Sequence, residues 1–572
     1  MFFRRRLDGD WCAGRRVGDE DRQRNNIANV IMLAARRVID GIATGETAAR
    51  AVRIVAVALL AVHVVLAWSA RQTTIGIRHD DAQYLLLGES LKHGSYRDVF
   101  LSNSPTHHMY PPAYPAILML WSLVVGKQIA LLTVPNIIAS TIALALMFLT
   151  VQKLWSPALG LASLAILSVN TEVVVQAGRL ATETPYMCFS VVALCALAFE
   201  KPPGRLILIA GLASIAATLT RPAGATLLAA VCLSLIVDRR LVAAFGFAAG
   251  AAFTAGSWLL WSLLDPQKVA GRSYIADASL LVTGHEPIFS SWVAAVRHAT
   301  RNLYDYLGFF VPELLLPSIS GTAVDNVFFV VVLVLGFGTG LLACFRRWRV
   351  AALYIVAYGA LLVVWPYRWP RYAEPLLVLV VPLLLIGLAA LGRRVSPAVS
   401  TLAVLVLTLT LVIRGSVATA ALVRDAVTCR PNGIYPDSRC LTEYRASFNA
   451  ALQYIDAKLP GDAVLRSGKP ATVYYYTGRT SISRSRRPSE LEGDILGLFR
   501  ASGVGYILMD SVHRTSFFLA KELKVHCHRL ALETSFPPWT YLFRVLEEGE
   551  VMNDDRACHA VDSYIARDRK YQ

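Results

Sequence analysis

The chain has 572 residues, 55% of them hydrophobic and only 17% charged, with a formal net charge of +16. A mean hydropathy of +0.48 excludes an ordinary soluble protein, whose water-facing surface would have to be apolar. The basic residues sit mainly at the amino terminus and in short loops between apolar runs, where Lys and Arg orient helices, so the charge argues against a nucleic-acid partner.

Residues 1–50 are charged and lack an apolar core followed by a small-residue cleavage site, unlike a secretory signal peptide. They are expected to form a basic cytoplasmic tail, with 54–70 as an uncleaved anchor. A spanning helix needs ~20 mostly apolar residues. Good candidates follow at 129–151, 241–264, 327–345, 350–366, 375–392 and 395–413, and shorter ones at 157–173, 184–199, 206–219 and 222–237. Retention of Lys and Arg inside places the loops Glu200–Arg205, Asp238–Arg240, Phe345–Arg349 and Gly392–Arg394 in the cytoplasm. That parity holds if all eleven candidates cross and Tyr110–Gly126 does not. Pro111, Pro112 and Pro115 deny this short segment a regular entry turn, so it reads as an interfacial or re-entrant helix.

The expected fold is therefore a polytopic α-helical membrane protein with about eleven transmembrane helices. The membrane domain covers 51–414 with a first outer loop at 71–128, and 415–572 form an extracytoplasmic α/β domain. The setting is the cytoplasmic membrane, multi-pass, with the amino terminus inside.

The outer segments collect acids and arginines. Asp80 and Asp81 begin a stretch of helix-like apolar spacing, and Asp80 with Gln83 matches a capping box. Asp80 or Asp81 could equally serve as general base toward a sugar hydroxyl. The two side chains point ~100° apart around a helix and need not share a ligand. Arg179, Arg221 and Arg371 could take up the charge of a departing phosphate, since a guanidinium matches phosphate oxygens in bidentate geometry. Snorkelling to lipid headgroups is the alternative for each. Glu183 could orient an arginine or hold a donor hydroxyl.

The ordered set Asp80–Gly94, "YPPAYP" at 110–115, "GRLATETPYMCF" at 178–189, "TRPAG" at 220–224 and "RYAEP" at 371–375 resembles the GT-C glycosyltransferases. The similar members are those of families 39 and 83, which include protein O-mannosyltransferases and the lipid A aminoarabinose transferase. The resemblance, over Ile54–Ile413, implies an inverting glycosyltransferase. Its donor would be a polyprenyl-phosphate-linked sugar, and its acceptor an extracytoplasmic glycolipid, glycan or protein. It implies catalysis at Asp80, with Asp81 at a neighbouring acidic position, Glu183 opening a later helix, and Arg371 beside Tyr372 at the lipid phosphate. Lys92 aligns poorly with the phosphate-binding lysine of the family, and His107, His108 and Tyr110 are an alternative. No cofactor is required, because a lipid monophosphate can leave against arginines, whereas a divalent metal serves diphosphates. The rival readings are a lipid or glycan transporter or flippase, for which an internal repeat and mid-helix charges would be expected, and a non-catalytic assembly protein.

In the terminal part, Tyr444, Phe448, Leu452 and Ile455 share one helical face, while Asp462–Gly468, Gly503–Ser511 and Trp539–Glu547 read as short strands. Cys429, Cys440, Cys527 and Cys558 lie here, an even number in an oxidising compartment, so one or two disulfides are expected. Cys429 with Cys440 is the easiest pair by proximity, but three connectivities remain open.

Overall fold

The computed structural model describes residues 46–76, 80–198, 202–265, 290–316, 327–430, 434–482, 494–512, 515–550 and 555–568. Nearly all of the expected tail lies outside the described residues, as do Arg78, most of the loop 265–325 and the basic run Ser483–Ser489.

Every one of the eleven expected apolar runs is helical. The described chain begins with α1 (Glu46–Ser69), followed after the first loop's α2 (Asp81–Lys92) and α3 (Ala113–Val125) by α4 (Val134–Leu154). Next come α5 (Pro157–Val169), α6 (Thr171–Ala177), α7 (Glu183–Ala196), α8 (Gly204–Thr220), α9 (Gly224–Val237) and α10 (Leu241–Ala251). The last of these continues through a π-turn to Leu264. The longer helices that follow are α11 (Trp292–Asp305), α12 (Val327–Arg347), α13 (Arg349–Val364), α14 (Leu377–Val395) and α15 (Pro397–Thr428).

Six spans are long and apolar enough to cross a membrane, and α5 with α6 makes a seventh, bent by 65°. Four more, α7, α8, α9 and α13, have 14, 17, 14 and 16 residues. At 1.5 Å per residue these cover only ~21–26 Å and need neighbours or local thinning to cross. The segment expected not to cross forms the 13-residue α3.

Where helices begin, the local chemistry is visible. Ser156, Asn170 and Ser396 each accept a backbone N–H of the first turn, and Pro157 and Pro397 occupy first helical positions, where the missing N–H costs nothing. The core lies around α14, 83% of whose span is buried. Gly336 and Gly340 of α12 meet Gly387 of α14 so closely that a Cβ on Gly387 would lie 1.7 Å from Gly336 O. Helix backbones approach this way in membranes only over small residues. His63, buried in α1, links Ser140 Oγ (2.9 Å) and Ser168 O (3.3 Å), joining three helices with both ring nitrogens satisfied.

Three of the four basic loops meet at one end of the bundle. Arg349 pairs with Asp238 at 2.9 Å, Arg240 donates to Pro202 O at 3.0 Å, and Arg347 to Leu154 O at 2.8 Å. The first loop, 178–183, 221 and 368–374 meet at the other end, as the contacts below show.

The terminal part is α/β. Its elements are α16 (Glu443–Lys458), β1 (Leu465–Ser467), α17 (Pro470–Thr477), β2 (Ser481–Ile482), α18 (Ile495–Ala501), β3 (Tyr506–Met509), α19 (Thr515–Val525), β4 (Leu530–Phe536), β5 (Thr540–Val545) and α20 (Arg556–Asp568). The sheet order is β2-β1-β3-β5-β4, with β1 parallel to both neighbours and β5 antiparallel to β3 and β4. Strand alternation divides the core. Ile507, Met509, Tyr541, Phe543 and Val545 pack with α18, α19 and α20, whereas Leu465, Leu508 and Leu542 pack with α16 and α17. Disulfides join Cys429 to Cys440 and Cys527 to Cys558, which selects one of the three pairings.

Candidate active site

The first loop is a packed structure in its own right. Ile75, Tyr84, Leu87, Phe100, Tyr110, Tyr114 and Leu118 form a core with Leu180 and with Ala471 of the terminal part. Ser481 N donates to Phe100 O at 2.9 Å, so the loop extends the β2 edge of the sheet.

Asp81 is the internal tie of this loop. It is 3% exposed. Its Oδ1 accepts Gly76 N at 3.0 Å and Ala82 N at 2.8 Å, and its Oδ2 accepts Gln72 Nε2. Gln72 cannot turn its amide, because Oε1 accepts Leu180 N at 3.1 Å and Nε2 also donates to Thr74 O at 2.7 Å. Burial pushes the Asp81 carboxyl up to about 7, against the bonds from Gly76, Ala82 and Gln72 and the charge of Lys469, all of which pull it down.

From the other side, α17 clamps the same turn. Thr472 Oγ1 donates to Gly76 O at 2.9 Å, and the Tyr476 hydroxyl donates to Ile75 O at 2.9 Å while accepting Ile75 N at 3.2 Å. Gly76 has φ +82°, and a Cβ there would lie 2.3 Å from Thr472 Cγ2. Only glycine fits such a turn.

Asp80 stands one residue earlier with a different role. Its side chain makes no capping bond. Gln83, expected to complete the capping box, is instead drawn to Asp98 Oδ1 (3.3 Å) and His107 Nδ1 (3.4 Å). Asp80 Oδ2 lies 3.3 Å from Arg371 Nη2, Arg371 Nε lies 3.8 Å from Glu183 Oε1, and the same Oε1 lies 2.5 Å from Arg221 Nη1. Four segments remote in sequence thus contribute to one alternating row of charges. Asp80 and Arg371 keep 28% and 27% side-chain exposure, Glu183 and Arg221 only 9% and 10%. The first pair is open to a ligand. The second supports it from below.

Arg371 sits in a 3-10 turn, Pro370–Tyr372, and that turn is held by its neighbours. Tyr358 donates its hydroxyl to Tyr372 O at 2.9 Å, the Arg371 Cζ stands 5.7 Å from the Tyr372 ring centre, and Gln176 Nε2 donates to Glu374 Oε2 at 2.5 Å. Glu374 is buried and escaped sequence reasoning, although it lies within the "RYAEP" stretch. Arg179 is half-buried between α6 and α7. Burial pulls its guanidinium below the ordinary arginine value, against the charges of Glu172, Glu374, Asp81 and Glu183. It is therefore a cation within the electrostatic reach of the row.

The remaining candidates serve the loop itself. His107 is buried between Asp98 Oδ1 (2.8 Å) and Tyr110 N (2.8 Å). Tyr110 packs with Tyr84 at 4.8 Å. His108 pairs with Asp265 at 3.1 Å and lies 4.4 Å from the Trp261 ring, tying the loop to the helix ending at Leu264. Burial lowers its pKa, opposed by Asp265. Lys92 pairs with Glu89 at 3.1 Å. Among the described residues no three His, Cys, Asp or Glu side chains converge as metal ligands.

No protein-family model and no curated protein sequence matches the chain. Solved structures do. The chain is similar to ArnT from Cupriavidus metallidurans bound to undecaprenyl phosphate, with 12% identity, TM-score 0.52, and coverage of 85% of this chain and 97% of that one. It is also similar to the oligosaccharyltransferase AglB from Archaeoglobus fulgidus in complex with an inhibitory peptide and a dolichol-phosphate, with 10% identity, TM-score 0.52, and coverage of 89% and 77%. The architecture is that of a polytopic, mostly helical membrane protein that shares its fold with these two structures. More particularly, the chain has the GT-C fold with an α/β terminal part.

Proposed function

We propose that the protein is an integral-membrane, inverting glycosyltransferase. It takes a sugar from a polyprenyl-phosphate donor and gives it to an acceptor hydroxyl of a glycolipid, glycan or protein outside the cytoplasmic membrane. The observation that carries this reading is the exposed Asp80–Arg371 pair, backed by the buried Glu183–Arg221 pair. A base beside a cation is what such a displacement needs at its two ends.

The acceptor hydroxyl gives its proton to Asp80 as its oxygen bonds to the anomeric carbon. The bond from that carbon to the phosphate oxygen breaks, and the phosphate monoester leaves with the electron pair toward Arg371 and Arg179. Arg221 and Glu183 hold Arg371 in place without touching the sugar. Asp81 keeps the turn that carries Asp80. Support comes also from the two similar structures, which hold undecaprenyl phosphate and dolichol-phosphate. In this reading the cluster and the terminal domain 415–572 face outward, and turnover needs no divalent metal.

The full-length protein, incubated with a panel of polyprenyl-phosphate sugars and membrane-derived acceptors in the presence of a chelator, is expected to release polyprenyl phosphate in step with glycosylated acceptor. A flippase or assembly protein would release none. Absence of release with every donor contradicts the reading.

A further inference from the structure

The helices that bring the charged row together at one end also enclose a groove at the opposite end. It has a volume of about 820 Å³ and is lined by residues of α1, α4, α5, α7 and α8. From Arg53 to Ser69, α1 alone rises ~24 Å, so the groove lies most of a bilayer's thickness away from Asp80. Its walls are aliphatic, with Leu149 and Ile209 among them, and its polar rim is Arg53, Lys153, Gln152 and Thr150. No carboxylate among the described residues lines it.

Both cations stand where a headgroup would be. Lys153 is one residue from the end of α4, and Arg53 Nε donates to Ala49 O at 3.3 Å, which directs the guanidinium toward the start of α1 and away from the hydrocarbon. A groove with apolar walls and a two-cation rim, opening between membrane helices, matches a lipid with acyl chains and a net negative headgroup. Its volume falls within the roughly 300–1,000 Å³ of small-molecule sites.

We propose that this groove is a binding site for one anionic glycerophospholipid of the leaflet opposite the charged row. Its phosphate lies between Arg53 and Lys153, and an acyl chain lies along Leu149 and Ile209. The site is separate from the donor site, since a carrier phosphate held here would be most of a membrane away from Arg371. The inference stands on the groove alone and does not depend on the glycosyltransferase reading.

Native mass spectrometry of the full chain, with phosphatidylglycerol and phosphatidylcholine of identical acyl chains, tests it. Wild type is expected to retain one phosphatidylglycerol at detergent concentrations that strip phosphatidylcholine. In R53Q/K153Q retention is expected to fall at least ~10-fold, and in R53K, which keeps the charge, to persist. Equal retention of the two lipids by wild type overturns the proposal, whether or not the double variant folds. So does undiminished phosphatidylglycerol retention by a folded R53Q/K153Q protein.

Discussion

The bundle ends around residues 80, 183, 221 and 371 and the α17 face of the terminal part meet on opposite sides of one turn, and they contribute different things. The bundle ends supply charges with room left for a ligand: Asp80 and Arg371 are each about a quarter exposed. The terminal part supplies closed hydrogen bonds, from Thr472 and Tyr476 to Gly76 and Ile75. In the proposed reading, one region holds the reacting groups and the other fixes their geometry. On that reading, the terminal part would govern rate through the turn it clamps.

That division can be broken from the bundle side first. R371Q removes the cation next to Asp80, and transfer is expected to fall about 10²–10³-fold, as for loss of a single charge-stabilising donor. The melting temperature should change little, because the pair is partly solvated. A turnover assay beside a thermal melt checks both. From the other side, T472V/Y476F removes the clamp while leaving every charged group in place. Its expected effect is a fall in kcat on the order of 10- to 100-fold through misplacement of Asp80, with KM for the donor near wild type. A loss confined to KM would mean that the terminal part binds substrate instead.

The smallest effect sharpens the contrast between the two adjacent acids. Because burial raises the Asp81 pKa from 3.8 to about 7, the folded protein keeps a proton that the unfolded chain has released across that interval. Stability from this group is therefore complete below the unfolded value and is lost as pH rises through about 7. The wild-type melting temperature, less that of D81N, should fall as pH is raised across the same range. A flat difference would show that Asp81 titrates alike in the two states.

The apolar runs can be read from the sequence because hydropathy and length are local properties, as is the shortness of α3, whereas the 65° bend after Val169, inside the run expected at 157–173, is not. The strands at 465–467, 506–509 and 540–545 were visible for the same reason. What separates Asp80 from Asp81 was not local. It depends on Gln72 being locked by Leu180 and on Tyr476 reaching back some four hundred residues to Ile75. The capping-box pattern misled because Gln83 had better partners in Asp98 and His107, which no nearby spacing announces. The contacts of His107, His108 and Tyr110 with Asp98, Asp265 and Tyr84 are likewise not given by any local spacing. Glu374 lies in the "RYAEP" stretch, but its partner Gln176 is 198 positions away.

The central claim is that neighbouring carboxylates divide chemistry from architecture. Asp80→Asn and Asp81→Asn, compared in one turnover assay and one thermal melt, test it most directly. D80N is expected to lose transfer about 10²–10⁴-fold with an unchanged melting temperature. D81N, whose new amide would face the fixed Gln72 donor, should lose roughly 1–3 kcal/mol of stability at a pH well below about 7, where the wild-type carboxyl keeps its proton. An active D80N enzyme, or a D81N protein as stable as wild type there, would contradict it.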